Sequence, residues 1–251
     1  MIRRLKRWAR TNFPFLKKKL PNWFFENYSA LKGQEARIKS RFALSESDFY
    51  PCLTDHSAQT PFDRHYIYHP AWAARVLAHT KPARHVDISS TLHFSTLLSA
   101  FIETEFYDYR PAPIELSNLI SSQADLTNLF FADESIASLS CMHTVEHIGL
   151  GRYGDPIDYE GDLKAMRELA RVLSPGGTLL FVTPVGKEAK IQFNAHRIYT
   201  ADLIKTNFEQ YGLTLKEFTY IPQKVGGMKI ETIETFTTPD AYGCGCYWLT
   251  K

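Results

Sequence analysis

Cysteine is scarce in this 251-residue sequence: Cys52, Cys141, Cys244 and Cys246 are all there is, and no two of them form a C-x-x-C pair. A chain of this length can bury enough surface to fold without disulfide staples, so a reducing compartment and a cytoplasmic location are expected. Long apolar runs are missing as well. Nothing approaches the roughly 20 residues that span a bilayer, and the first residues lack the continuous apolar stretch of a secretory signal. Neither export nor an integral membrane position is expected. There is no large charge excess either, with 29 Lys and Arg against 27 Asp and Glu and a formal net charge of +2. A phosphate-binding surface normally shows a clear basic excess, so no nucleic-acid partner is expected.

Acidic residues are absent from the first twenty positions, where Arg3, Arg4, Lys6, Arg7, Arg10, Lys17, Lys18 and Lys19 make a basic arm. Interleaved with and following them are Trp8, Phe13, Phe15, Leu16, Leu20, Trp23, Phe24 and Phe25, interrupted by Pro14 and Pro21. Such an arm can lie on an anionic membrane surface, each basic residue contributing about 1 kcal/mol. It can equally pack on its own domain. Residues 1–60 are read as this extension and residues 61–251 as one globular domain, for which a 44% hydrophobic content supplies the core.

From Arg64 to Thr80 the pattern reads as a helix stopped before Pro82. His85 to Ile88 reads as a buried strand, Leu92 to Phe101 as a helix, and Glu105 to Tyr109 as a second strand. Helical patterns follow at Ile114 to Ser121 and Gly161 to Leu173, with strands at Ser138 to His143 and Thr178 to Thr183. Strands alternating with helices predict a doubly wound, mostly parallel α/β sheet. Thr214 to Ile221 and Tyr242 to Leu249 read as an antiparallel pair closing one edge.

The most specific segment is Leu169 to Gly186, LARVLSPGGTLLFVTPVG. Pro175 cannot continue a helix, Gly176 and Gly177 can take the positive φ of a helix stop, and an apolar strand then enters the core. Here the sequence resembles the class I S-adenosylmethionine-dependent methyltransferases, in which a Leu-x-Pro-Gly-Gly turn precedes the fifth strand. The resemblance extends upstream to Ala124–Ile148, ADLTNLFFADESIASLSCMHTVEHI, which looks like that superfamily's third and fourth strands, and covers about Arg64 to Ile221. HYIYHPAWAAR, TVEHIGLGRYGDP and FNAHRIY are similar to a small methyltransferase-like family met among surface-polysaccharide biosynthesis proteins.

The resemblance implies a Rossmann-like class I methyltransferase with S-adenosylmethionine as cofactor. It implies that Asp87 holds the methionine end, that Asp108 accepts the ribose hydroxyls, and that Asp125, with Leu126 beside it, meets the adenine. It departs from the family between Asp87 and Phe94, where an Asp-x-Gly-x-Gly-x-Gly loop is replaced by Ser89, Thr91 and His93. Side chains there narrow the space for a cofactor, and β-branched Thr91 resists positive φ. Hydroxyls of Ser89, Ser90 and Thr91 could instead hold a carboxylate at the start of the next helix.

A second cluster is His143, Glu146 and His147, followed by a glycine-rich GLGRYGDP. Its spacing is a formal match to the H-x-x-E-H zinc motif, but the position directly after a strand favours the crevice of a doubly wound sheet, and no metal is expected. In that crevice His143 would border the transferred methyl, and His147, Glu146, Asp155 or His196 could take a proton from an acceptor hydroxyl. Arg152, Tyr153, Asn194 and Arg197 are the candidate contacts to an anionic or sugar acceptor. Two functions stay open. One is methylation of a sugar hydroxyl of a surface glycan or its lipid-linked precursor, with the arm on the inner membrane face; the other is a non-catalytic interaction domain that has lost its cofactor. Cys244 and Cys246 are read as buried strand thiols.

Overall fold

The computed structural model describes residues 20–37, 42 and 44–251. The basic arm through Lys19, on which the membrane-surface expectation rests, lies outside the described residues. The chain divides into two compact units, Met1–Pro61 and Phe62–Lys251. In the first, helix α1 (Asn22–Glu35) buries Phe25 and Tyr28, which gather Leu20, Phe24, Leu44 and Phe49 into a small aromatic cluster. Edge-on ring contacts at 4.8 Å for Tyr28 with Phe49 and 5.2 Å for Phe24 with Phe49 hold it together.

The second unit is an α/β sandwich. Its elements run α2 (Arg64–Thr80), β1 (Arg84–Ile88), α3 (Leu92–Leu98), β2 (Glu103–Asp108), β3 (Leu119–Gln123), β4 (Ile136–Met142), α4 (Gly161–Val172) and β5 (Leu173–Val185). Then come a short hairpin β6 (Lys190–Gln192) and β7 (His196–Ile198), α5 (Ala201–Gln210), β8 (Thr214–Ile221), β9 (Lys229–Glu231) and β10 (Gly243–Thr250). The main sheet has the order β3-β2-β1-β4-β5-β10-β8-β9. Its first five strands are parallel, and β10 runs antiparallel between β5 and β8.

The period of two in a pleated strand explains the layers. On one face Leu139, Cys141, Leu179 and Phe181 pack with Ala165, Met166 and Leu169 of α4 and Ile204 and Phe208 of α5. On the other, Met142, Leu180 and Val182 pack with Trp72, Ala73, Val76 and Leu77 of α2 and Phe94 and Leu98 of α3. Strands covered on both faces need apolar residues at nearly every position, as β5 has after its polar start. Each fully buried Leu or Phe here contributes about 1.5–3 kcal/mol.

Helix α4 ends at Val172 with Leu173 already extended, so the Pro-Gly-Gly segment does not stop the helix as the sequence suggests; it lies in the first residues of β5, where Gly176 alone takes a positive φ, +75°. Other segments differ from expectation. Ile114 to Ser121 is no helix: Asn118 turns at φ +59°, and Leu119 onward forms edge strand β3, whose outer positions stay polar or exposed and so carry no strand-like alternation. Because β3 ends at Gln123, Ala124 to Ile148 contains one strand, β4, and not two. Helix α5, the β6-β7 hairpin and β9 are elements the sequence pattern did not reveal.

Candidate functional site

The strand order reverses between β1 and β4, and the crevice beyond the carboxyl ends of these strands is where a doubly wound sheet receives ligands. Two cavities open there. The first, about 310 Å³, is lined by Ser89 after β1, Asp108, Tyr109 and Arg110 after β2, Ala124 to Thr127 after β3, and His143, Thr144, His147, Gly149, Tyr153 and Asp155 after β4. The second, about 430 Å³, is lined by Tyr66 of α2, Ser89 to Thr91, His143, Glu146, His147, Arg152, Tyr153, His196 and Tyr242. Ser89, His143, His147 and Tyr153 border both.

The glycine-poor loop after β1 resolves simply. Only Ser89 takes a positive φ, +55°, where its N–H donates to Tyr107 O at 2.7 Å. Thr91 sits at φ −74° and caps α3 by accepting from Phe94 N, so its β-branch meets no strain. Of this loop only Ser89 borders the first cavity, while Ser90 and Thr91 border the second. Asp87 borders neither. It is fully buried and takes hydroxyl hydrogens from Ser95 and Ser140. Burial pushes its pKa up to about 6 against the opposing hydroxyl bonds. The expectation that Asp87 contacts the cofactor is therefore corrected: the group props β1, α3 and β4 together beneath the cavity floor. Behind it, His85 bridges Ser138 and Ser140 at 2.8 and 2.9 Å, and burial lowers its pKa to about 3, so the ring is neutral.

Asp108 and Asp125 face the first cavity with capacity to spare. Asp108 Oδ1 accepts from Arg110 N at 2.7 Å, and Asp125 Oδ1 accepts from Thr127 N and Oγ1 at 2.8 and 2.7 Å, while the second oxygen of each carboxylate carries no such bond. Leu126, itself buried, adds an apolar side chain to the same lining.

At the junction of the cavities, His143 adopts φ +56° and is buried. Both ring nitrogens are engaged, Nδ1 with Glu146 Oε1 at 2.9 Å and Nε2 with Cys244 Sγ at 3.4 Å. Burial works against a charged ring and the Glu146 carboxylate at 2.9 Å favours one, while burial holds the Cys244 thiol neutral, so it adds no charge of its own. With no open nitrogen, His143 is a wall and not a base. His147 differs: its Nδ1 lies 2.7 Å from Ala195 O, which can only accept, and 3.2 Å from Arg152 Nη1, which can only donate; the shorter contact calls for the hydrogen on Nδ1 and leaves the lone pair on Nε2, 3.9 Å from Glu146 Oε1. Arg152 Nη1 donates to the same carbonyl at 3.0 Å.

Asp155 is not a base candidate in this geometry. Its oxygens accept from Gly149, Gly151 and Tyr153 N–H, which offset the effect of burial and lower its pKa. Its work is to close the glycine-rich loop. Arg197 is likewise withdrawn from the acceptor set: buried, it donates to Ile148 O at 2.6 Å, Tyr159 O at 3.0 Å and Asp158 O at 3.3 Å, and meets Asp162 at 3.5 Å. Asn194 is exposed and borders neither cavity. His196 does border the second, with its Nε2 enclosed and unpartnered and its pKa lowered by burial.

Sequence reasoning missed Tyr66, Tyr242, Arg110 and Cys244. The only advance signal was HYIYH, whose i, i+4 histidines His65 and His69 share a buried helix face against His143, at ring distances of 6.0 and 5.0 Å. Tyr153 lies between Arg110 and Arg152, 4.6 and 5.1 Å from its ring, at the seam of the two cavities.

The family described as "Caenorhabditis protein of unknown function, DUF268" matches residues 99–219. No curated protein matches the chain. Among solved structures, it is similar to Burkholderia thailandensis 1,6-didemethyltoxoflavin-N1-methyltransferase, solved with bound 1,6-didemethyltoxoflavin and S-adenosylhomocysteine. That match has 10% identity and a TM-score of 0.54, and covers 75% of this chain and 79% of the other. It is also similar to the (4+2)-cyclase SpnF, at 14% identity and a TM-score of 0.51, covering 72% and 80% of the two chains. The second unit thus has the Rossmann-like fold of class I methyltransferases, a fold that does not by itself decide the reaction.

Proposed function

We propose that the protein transfers a methyl group from S-adenosylmethionine to a hydroxyl of an acceptor held in the second cavity. The observation that carries this is the junction: a cavity with carboxylates after β2 and β3 meets a second, polar cavity at Ser89, His143, His147 and Tyr153. The residues fit the cofactor. Asp108 has an oxygen for the ribose hydroxyls, Asp125 and Leu126 an acceptor and a wall for the adenine, and the left-handed turn at Ser89 keeps the loop backbone at the cavity edge. When bound, the cofactor supplies a methyl group already activated by its sulfonium. What remains for the protein is to align the acceptor and remove its proton.

His147 is the base. Its Nδ1–H is committed to Ala195 O, so Nε2 takes the proton, and Glu146 stabilises the imidazolium that forms. Arg152 orients the acceptor from the same wall. The acceptor class we infer is a sugar of a surface glycan or its lipid-linked precursor, which the resemblance of the sequence motifs suggested and the polar second cavity suits. The basic arm would then keep the enzyme at an anionic membrane surface. No helix among the described residues is long and apolar enough to cross a membrane.

The test is turnover: S-adenosylhomocysteine release in the presence of simple methyl glycosides, with His147→Asn alongside. Turnover that falls by about a hundredfold or more in the variant supports the assignment. If S-adenosylhomocysteine binds but no glycoside or lipid-linked sugar is turned over, the non-catalytic reading replaces it.

A further inference from the structure

Arg152 borders the second cavity with most of its guanidinium uncommitted. Nη1 donates to Ala195 O at 3.0 Å, and the group lies 5.1 Å from the Tyr153 ring. These two contacts hold it in place and leave Nε and Nη2 without a hydrogen bond. Arg84, Arg171 and Arg197 each meet a carboxylate, at 2.9, 2.7 and 3.5 Å, whereas Arg152 meets none among the described residues. A planar fork of donors already fixed by its neighbours loses little freedom when an oxyanion arrives.

The rest of the lining offers donors and hides its negative charge. Glu146 is its one carboxylate, 1% exposed and committed to His143 at 2.9 Å. Thr91 Oγ1 accepts from Phe94 N and keeps its own hydrogen to give, and the Tyr66 and Tyr242 hydroxyls carry no hydrogen bond. Arg110, also without a carboxylate partner, lies 4.6 Å from the Tyr153 ring, so an anion at the seam of the cavities meets a second cation nearby. Arg152 Nη1 is 3.2 Å from His147 Nδ1, which sets the guanidinium along the edge of the ring whose other nitrogen takes the proton. A charge on Arg152 and a hydroxyl on His147 Nε2 can therefore belong to one small molecule, a few bonds apart.

We infer that the acceptor is an anion, its carboxylate or phosphate seated on the donors of Arg152 that Ala195 leaves free, and that this seat sets which hydroxyl reaches His147 Nε2. The inference deepens the methyl-transfer reading and rests on it only for the fate of that hydroxyl. Arg152 borders the second cavity and not the one lined by Asp108 and Asp125, which assigns the anion to the acceptor and not to the carboxylate of the cofactor. A sugar acid and a sugar phosphate share the required chemistry.

The experiment is calorimetric titration of the full chain, in low-salt buffer, with two matched pairs: methyl glucuronide with methyl glucoside, and glucose 6-phosphate with glucose. The anionic member of at least one pair should bind about tenfold or more tightly than its neutral partner. Arg152→Gln should bring that ratio to within about twofold, Arg152→Lys should restore part of it, and Arg75→Gln, an exposed arginine outside the cavity, should leave it unchanged. Preference in the first pair assigns a carboxylate and in the second a phosphate. Equal affinities within both wild-type pairs, no measurable binding of either anion, or a ratio that survives Arg152→Gln overturns the inference. So does a tenfold loss of S-adenosylhomocysteine affinity in Arg152→Gln, which would give the guanidinium to the cofactor. Failure of S-adenosylhomocysteine to bind the wild type overturns the methyl-transfer reading alone, because the sugar pairs need no cofactor.

Discussion

Arg197 separates a structural from a substrate-binding account of the site. Replacing it with alanine removes two short charge-assisted bonds, to Ile148 O at 2.6 Å and Tyr159 O at 3.0 Å, with a longer one to Asp158 O at 3.3 Å. It also strips the nearby cation from Asp162, a 7% exposed residue left with the Tyr199 hydroxyl as its remaining side-chain partner. At roughly 1.5–3 kcal/mol per charged bond, less what water recovers by entering, the loss is about 3–5 kcal/mol. That is a large share of a typical domain's total stability of about 5–15 kcal/mol. Arg197→Lys should recover only a part, because an ammonium cannot serve several carbonyls in a planar fork. Urea unfolding followed by tryptophan fluorescence reads this as a midpoint lowered by a molar or more, for a slope of about 1–3 kcal/mol per molar. A stability change under about 1 kcal/mol, together with a clear loss of acceptor affinity, would refute the reasoning and return Arg197 to the substrate.

Two glycines of the loop that Arg197 anchors offer a matched comparison. Gly149 at φ +78° would place a Cβ 2.0 Å from Asp158 O, whereas Gly154 at φ +85° has open space around it. Gly154→Ala should cost about 1 kcal/mol from backbone conformation alone, and Gly149→Ala should cost distinctly more by thermal unfolding; equal costs would mean that the loop is not packed as described. Asp87 has its pKa raised to about 6 from an ordinary 3.8, so its contribution is fully present below pH 3.8 and is lost as pH rises through 6. The difference in unfolding free energy between wild type and Asp87→Asn should therefore shift in favour of the variant by roughly 2 kcal/mol between pH 4 and pH 7, and a pH-independent difference would count against the assignment. His147→Asn should depress kcat while leaving S-adenosylhomocysteine affinity within about threefold, because the asparagine side chain still allows a donor to Ala195 O; a parallel loss of cofactor affinity would make His147 a binding residue instead.

Much of the fold was legible because its signals are local. Helix α2 begins after Asp63, whose side chain accepts from Tyr66 N, and stops before Pro82, and β8 spans Thr214–Ile221 as its pattern suggested. Edge strand β3 was not legible, because LISSQ lacks the apolar run of a central strand and Leu116, Leu119 and Ile120 mimic the i, i+3, i+4 spacing of a helix. In the site, residues that follow strand ends in sequence, among them Asp108, Asp125, His143 and His147, could be placed at the crevice in advance. Tyr66 and Tyr242 reach it from elements far away in sequence, and only the fold brings them there. The loop after β1 shows why composition misled. Three absent glycines suggested a blocked cavity, but a single left-handed residue is enough, and serine bears it at a cost of about 1–2 kcal/mol.

The central claim is that the first cavity holds the cofactor, and isothermal titration with S-adenosylhomocysteine on wild type and Asp108→Ala tests it most directly. Wild type should bind at micromolar concentration and the variant should lose tenfold or more, about 1.5–3 kcal/mol. No heat of binding at millimolar ligand, or equal affinity in the two proteins, would contradict it.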